Sequence, residues 1–301
     1  MALHPSPSSL PMTAEFLAPF QNRIEVKLAQ RLSTFDQPKA LLDAMQYACL
    51  GGGKRLRATL VYLSADALGL NLDQADSAAI AVELIHAYSL IHDDLPAMDD
   101  DGLRRGKPST HIQFGEALAI LAGDALQAAA FQTLAEDELI DPAARLRLIQ
   151  ALSIASGIQG MVGGQVHDMA GEHQALSLSA LTDMHALKTG ALIEFSAASA
   201  AIIANNQRVE PLLRSFGAQL GLAFQVQDDI LDETSSTETL GKQQGSDRAQ
   251  AKSTFVSLLG LEAAQNHLAD LKKTALNLLK QSQLETDNLR ALVQYMVERK
   301  Y

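Results

Sequence analysis

The sequence predicts an all-α fold, and three observations carry that expectation. Tryptophan is absent, aromatic residues make up 5% of the chain, and alanine and leucine dominate the 47% that is hydrophobic, a composition that suits close-packed helices better than sheets. Apolar residues recur at helical spacing. Helix start and stop signals punctuate them at intervals of one helix.

A first amphipathic helix is expected after Thr13, with Phe16, Phe20, Ile24 and Leu28 along one face. A second should start at Pro38, a favoured first-turn residue, and stop at Gly51. The stretch Gly51-Gly52-Gly53-Lys54-Arg55-Leu56-Arg57 then leads into a third. Glycines free its backbone while Lys54 and Arg57 bring charge, so either an anion site or an ordinary glycine turn fits. Leu84, Ile85, Leu90 and Ile91 predict a helix running into Asp93. Phe114 to Leu134 reads as a long buried helix, and Asp141-Pro142 opens another by the cap-then-proline rule. Gly157, Gly160, Gly163 and Gly164 suggest close helix packing, with Gln165 and Asp168 toward a cavity. His185 to Gly190 should interrupt a helix of small residues. Beyond Leu261 ordinary amphipathic helices resume.

Chemistry concentrates between residues 86 and 111. Asp93, Asp94, Asp99, Asp100 and Asp101 crowd together, with Arg104 and Arg105 just behind. An acid run can be merely a solvated face. A calcium loop is excluded, because it would begin at Ala97 and end at Pro108, where acidic ligands are required. Mg²⁺ fits better, since it takes oxygen ligands and shares its shell with water and phosphates. Guanidinium forks match phosphate oxygens, so acid and base side by side read as a diphosphate site. Asp93 and Asp99 are six apart and cannot share a regular helical face. Pro96 should break the helix and let the loop return Asp99 beside Asp93. His86 lies two turns before Asp93 on nearly the same face.

A second acidic motif, Phe224-Gln225-Val226-Gln227-Asp228-Asp229-Ile230-Leu231-Asp232, puts Asp228 and Asp232 four apart on one helical face. Lys242 and Lys252 follow in a polar stretch. Lys188, beside Thr189 and Gly190 in an apolar helix, reads equally as a cavity residue or a snorkelling surface lysine.

The net charge of −11 leaves no broad basic surface, so nucleic acid is not an expected partner. The single Cys49 excludes an intrachain disulfide framework and suits a reducing cytoplasm. The N-terminus lacks a basic region followed by an apolar core, and no stretch reads as a membrane span. The expectation is a cytoplasmic protein without stable membrane insertion, with residues 1–12 a flexible tail and 13–301 one all-α domain.

Two acidic motifs attended by Lys and Arg, with Gly-Gly-Lys-Arg-Leu-Arg and Lys-Thr-Gly in the same order, resemble the trans-isoprenyl diphosphate synthases, most closely the bacterial farnesyl diphosphate synthase subgroup. The resemblance runs from about residue 15 to the C-terminus, and Asp93-Asp94-Leu95-Pro96-Ala97-Met98-Asp99 carries that subgroup's two-residue insertion. Ala58 stands where proline is usual and Gly102 where the family often has Asp or Asn; neither departure removes a ligand. The resemblance implies a helical bundle around a deep central cavity, a homodimer, and condensation of isopentenyl diphosphate with dimethylallyl or geranyl diphosphate. It implies about three Mg²⁺ ions held by Asp93, Asp99 and Asp228. It assigns Arg104, Lys188, Lys242 and Lys252 to the allylic diphosphate, and Lys54, Arg57, His86 and Arg105 to isopentenyl diphosphate. Gln225 and Thr189 stand near the developing carbocation, Asp94 belongs to the catalytic motif, and Tyr88 and Ser89 form the floor that limits chain length. Helix geometry supports Ser89 more directly, because Tyr88 is about 140° round the helix from Asp93. A longer-chain synthase, a regulatory partner subunit and a terpene cyclase are the alternatives; the last two would lack an acidic motif or the Lys54, Arg57 and His86 set.

Overall fold

The computed structural model describes residues 14–171, 174–234 and 253–299. A 3₁₀ turn, Ala14–Leu17, leads into α1 (Ala18–Leu32), α2 (Lys39–Cys49), α3 (Leu56–Ala67) and α4 (Asp76–Asp93). Next come α5 (Thr110–Phe114), α6 (Glu116–Ala135), α7 (Pro142–Ser156), α8 (Met161–Gly171) and α9 (Leu178–His185). A π-helical turn, Ala186–Gly190, joins α9 to α10 (Ala191–Ile203), followed by α11 (Glu210–Thr234), α12 (Phe255–Leu259), α13 (Leu261–Ser282) and α14 (Asp287–Glu298). Among the described residues the only strands are Leu103–Arg104 and Lys107–Pro108, a two-stranded antiparallel pair. It turns the chain sharply through Arg105 and Gly106, both at positive φ.

Helices α3, α4 and α10 are apolar on nearly all sides, as central helices must be. Residues such as Tyr62, Leu84, Ile85 and Phe195 are fully or almost fully buried. The others are amphipathic and wrap them. α1, α2, α6 and α7 close one cluster around α4, and α11, α13 and α14 close a second against α3 and α10. In α1 the stripe is as expected, with Ile24 and Leu28 buried and Phe20 packed against the core. The Asp141 carboxylate caps α7, accepting from the Ala143 N–H at 2.9 Å.

Three expectations need correction. The helix predicted from Phe114 to Leu134 is two helices, split at Gly115, whose φ of +86° no other residue type adopts readily. Its long part, α6, is not buried all round, since Ile120 and Leu121 are 43% and 54% exposed. Two helical stretches, Glu116–Ala135 and Leu178–Ile203, are long and apolar enough to cross a membrane by length and composition, contrary to the sequence reading; the second is mostly buried within the bundle. Both are apolar because they serve core packing on at least one side.

Candidate active site

Helix α4 delivers Asp93 as its last residue, with Asp94 as C-cap. The chain leaves the helix there, three residues before Pro96, and folds back so that the Asp99 N–H donates to the Asp93 carbonyl at 2.9 Å. That bond realises the return of Asp99 beside Asp93. Asp93 sits in the wall of a cavity of about 510 Å³, together with Arg57, His86, Tyr88, Ser89 and Lys188. Burial, with Asp99 adding repulsion, raises its carboxyl from an ordinary 3.8 to about 6, although Lys188 and Arg104 pull the other way. A carboxylate so placed lacks counter-charge, which a bound cation supplies.

Asp94 has a different environment. Its side chain is buried and accepts a fork from Arg104, whose Nε lies at 2.9 Å and whose Nη2 also contacts it. Arg104 Nη2 reaches Asp101 at 3.0 Å as well. Asp94 therefore holds Arg104 in place across the loop.

Lys188 lies in the π turn, the interruption expected at His185 to Gly190. A π turn holds one extra residue per turn and commonly marks a functional position. Gly164 makes this possible, because a Cβ there would stand 2.2 Å from the Lys188 backbone N. One turn on, Asp168 accepts from Lys188 Nζ at 2.5 Å. Burial opposes the lysine's charge, yet Asp168, Asp93 and Asp99 together raise its pKa. Lys188 is thus a cavity lysine and not a snorkelling one. Gln165, on the same face as Asp168, lines the cavity with both amide atoms buried and unpartnered. Thr189 also lines it, and Gln225 on α11 is half-buried.

Helix α11 carries the second motif and packs on the π turn, where a Cβ on Gly221 would meet the Gly190 Cα at 2.8 Å. Asp228 pairs with Arg299 at 2.5 Å. Arg299 also lies 4.1 Å over the Phe224 ring and donates to the Phe224 carbonyl at 3.1 Å, so residues just past α14 cover this motif. Nothing in the sequence around Arg299 marks that pairing, since only the fold brings α14 beside α11. Asp229 is buried and accepts from the Phe255 N–H at 2.7 Å. Asp232 is also buried.

A cationic cluster lies beside His86. Arg57 is half-buried, with its Nε buried and unpartnered, and burial together with Arg105 lowers its pKa. Arg105 donates from Nη1 to the Gly52 carbonyl, and a Cβ on Gly53 would stand 2.7 Å from its Cζ. Burial, reinforced by Arg57 and Arg105, holds the His86 imidazole well below its ordinary 6.5. Lys54 stands instead within reach of Arg299 and Asp228; burial and Arg299 lower its pKa while Asp228 opposes them. Positive groups gathered this closely make an anion site. Much of the remaining cavity wall is apolar, with Met98, Ile120, Met161 and Leu192 beside Tyr88 and Ser89. Tyr88 lines it despite its angular offset from Asp93. Lys242 and Lys252 lie outside the described residues.

Among the described residues no three acidic, imidazole or thiol side chains already converge on one metal position. The donor chemistry still fits Mg²⁺, which leaves much of its octahedron to water and substrate phosphate. Asp93, with Asp99 returned beside it, offers carboxylate oxygens at the end of α4, and Asp228 offers them on α11.

An all-α bundle whose largely apolar cavity has Asp93, Arg57 and Lys188 in its wall, with a second acidic motif on α11, suits a class of diphosphate-handling isoprenoid enzymes. Residues 38–296 match the polyprenyl synthetase family, and the chain belongs to that family. It is 48% identical over 282 residues to a farnesyl diphosphate synthase of Escherichia coli, covering 90% of this chain and 94% of that one. A farnesyl diphosphate synthase of Haemophilus influenzae is 46% identical, with 95% and 98% covered. The solved structure of an FPP/GFPP synthase from Zymomonas mobilis superposes with a TM-score of 0.83 at 40% identity, over 94% of this chain and 98% of that one.

Proposed function

We propose that the protein is a Mg²⁺-dependent prenyltransferase that condenses isopentenyl diphosphate head to tail with dimethylallyl or geranyl diphosphate, releasing farnesyl diphosphate. One observation carries this reading: Asp93, whose burial disfavours its charge, and Arg57, whose Nε has no partner, border the same cavity as Lys188, and most of the remaining wall is apolar. Bound Mg²⁺ would neutralise the diphosphate that departs when the allylic C–O bond ionises. Asp93, Asp99 and Asp228 are the residues to hold it, in a cluster of about three ions by family likeness. For Asp228, holding metal means giving up Arg299.

Lys188 and Arg104, with Lys242 and Lys252, take the allylic diphosphate, and Asp94 keeps Arg104 aimed. Lys54, Arg57, His86 and Arg105 take the diphosphate of isopentenyl diphosphate. The Thr189 carbonyl and Gln225 present partial negative charge to the allylic cation. The apolar walls exclude water, which would quench that cation as an alcohol. Tyr88 and Ser89 bound the tail. The protein is further proposed to act as a cytoplasmic homodimer. Incubating it with both diphosphates and Mg²⁺ and sizing the products chromatographically tests the reading. A fifteen-carbon diphosphate is expected, lost on chelation and regained with Mg²⁺. Absence of any prenyl product would overturn it.

A further inference from the structure

The buried cation next to the anion cluster is Arg55, and its role differs from that of its neighbours. Arg55 is the N-cap of α3 in a left-handed conformation, φ 48° and ψ 34°, which turns its side chain away from those of Lys54 and Arg57. Its guanidinium donates to Glu25 at 2.7 Å, to Glu83 at 3.0 Å and to the Cys49 carbonyl. Glu83 is the other half of the clasp. It also accepts from the Ala58 N–H at 3.2 Å, and the side chains of Arg55 and Glu83 are each only 2% exposed.

Glu83 lies three residues before His86 on α4 and within electrostatic reach of Arg57 and Arg105. Neither Arg57 nor Arg105 forms an ion pair among the described residues. Glu25 is 35% exposed at its side chain and has water as an alternative partner. Glu83 has none. A buried carboxylate stripped of its partner must find another cation or pay several kcal/mol in lost solvation, and the nearest cations are those of the anion site.

We infer that Arg55 is a positioning residue that sequesters Glu83, keeping this buried carboxylate off Arg57 and Arg105 so that both stay available for the diphosphate of isopentenyl diphosphate. The inference rests on the assignment of that cluster to isopentenyl diphosphate. It makes a prediction that a purely structural clasp does not: the loss of the arginine falls on isopentenyl diphosphate and spares geranyl diphosphate, and removing the carboxylate restores that one affinity.

The test is calorimetric titration of isopentenyl diphosphate alone, so that no turnover occurs, into the wild type, Arg55→Met, Glu83→Gln and the double variant, with thermal melts and geranyl diphosphate titrations alongside. Arg55→Met should weaken isopentenyl diphosphate binding by about ten- to a hundredfold, the scale of a misdirected buried charge, with geranyl diphosphate binding changed far less. Glu83→Gln keeps an acceptor for Ala58 and should stay within about threefold. The double variant should return to within about fivefold of the wild type. Should Arg55→Met fail to fold, the double variant, which buries no orphan carboxylate, decides alone against the wild type. A double variant as weak as Arg55→Met, or weakened by a hundredfold when measured alone, overturns the clasp while leaving the site assignment intact. A wild type that neither binds isopentenyl diphosphate nor makes product overturns both.

Discussion

At Asp93 function works against stability. Its folded carboxyl is raised to about 6 from 3.8, so above about pH 6 the metal-free fold carries an ionised group it disfavours. The sign follows from linkage: the folded state binds more protons than the unfolded one between those values, so this group's contribution to stability falls as pH rises through them. Asp93→Asn should therefore melt higher than the wild type in chelator at pH 8, and the gain should vanish near pH 4. Mg²⁺ with diphosphate should raise the wild-type melting temperature, because it binds only the folded state, and should do so far less for the variant. Turnover of Asp93→Asn or Asp228→Ala should fall by orders of magnitude. Equal melting of Asp93→Asn and wild type at pH 8 would refute the strain argument. Ser89 supplies a second prediction at this scale. It is half-buried in the cavity wall, its hydroxyl donating to the His86 carbonyl at 2.9 Å, and lies about 6 Å below Asp93 along the helix axis. A phenyl ring there fills the tail space, and overpacking typically costs ~1–3 kcal/mol. Ser89→Phe should shift the main product from fifteen to ten carbons, and Tyr88→Ala should release some longer product. A folded, active Ser89→Phe still making only the fifteen-carbon product excludes the floor assignment.

Between elements, the decisive contacts are made by glycines. Gly164 lets α8 lie against the backbone of Lys188, Gly217 brings α11 to 2.7 Å from the Glu194 Cα by the same measure, and Gly221 meets Gly190. Together they fix the π turn between α8 and α11. Gly164→Ala should destabilise the fold by ~1–3 kcal/mol and also break the Lys188–Asp168 pair, so its activity loss should exceed that of an equally destabilising change in α13, such as Leu268→Ala. Matched melts with matched activities would show Gly164 to be packing alone. These contacts also mark where the sequence was legible. Helix α7 could be read from Asp141-Pro142 because a cap is local, and the break at His185 to Gly190 because polar residues interrupted an apolar run. Asp99 could be placed beside Asp93 because Pro96 restricts only its neighbours. The Arg55–Glu83 clasp and the Asp228–Arg299 pair join positions far apart in the chain. No local pattern encodes them, so only the assembled fold shows them. Arg55 carried no assignment in the glycine-rich motif, because only its left-handed backbone turns it inward to Glu83.

Over the whole molecule, one surface remains unexplained by a single chain. Ile154, Ile158, Val162 and Val166 follow one another at four-residue spacing from the end of α7 along α8, and they are 48%, 86%, 38% and 61% exposed. Leu121 on α6 and Leu146 on α7 add 54% and 67%. Monomers seldom expose contiguous apolar patches beyond about 300–600 Å², and a stable interface buries about 1,200–2,000 Å² in total. Ile120, Val162 and Val166 also form part of the cavity wall, so water reaching this face would lie close to the allylic cation. A second copy packed through the same surface solves both problems, because a two-fold interface is self-complementary. Light scattering at micromolar concentration should therefore give twice the chain mass of 32.3 kDa. Ile158→Arg with Leu121→Arg should shift the protein toward monomer, and under Mg²⁺ the variant should release more prenyl alcohol per condensation than the wild type. A wild type that stays monomeric throughout the micromolar range would rule out this interface.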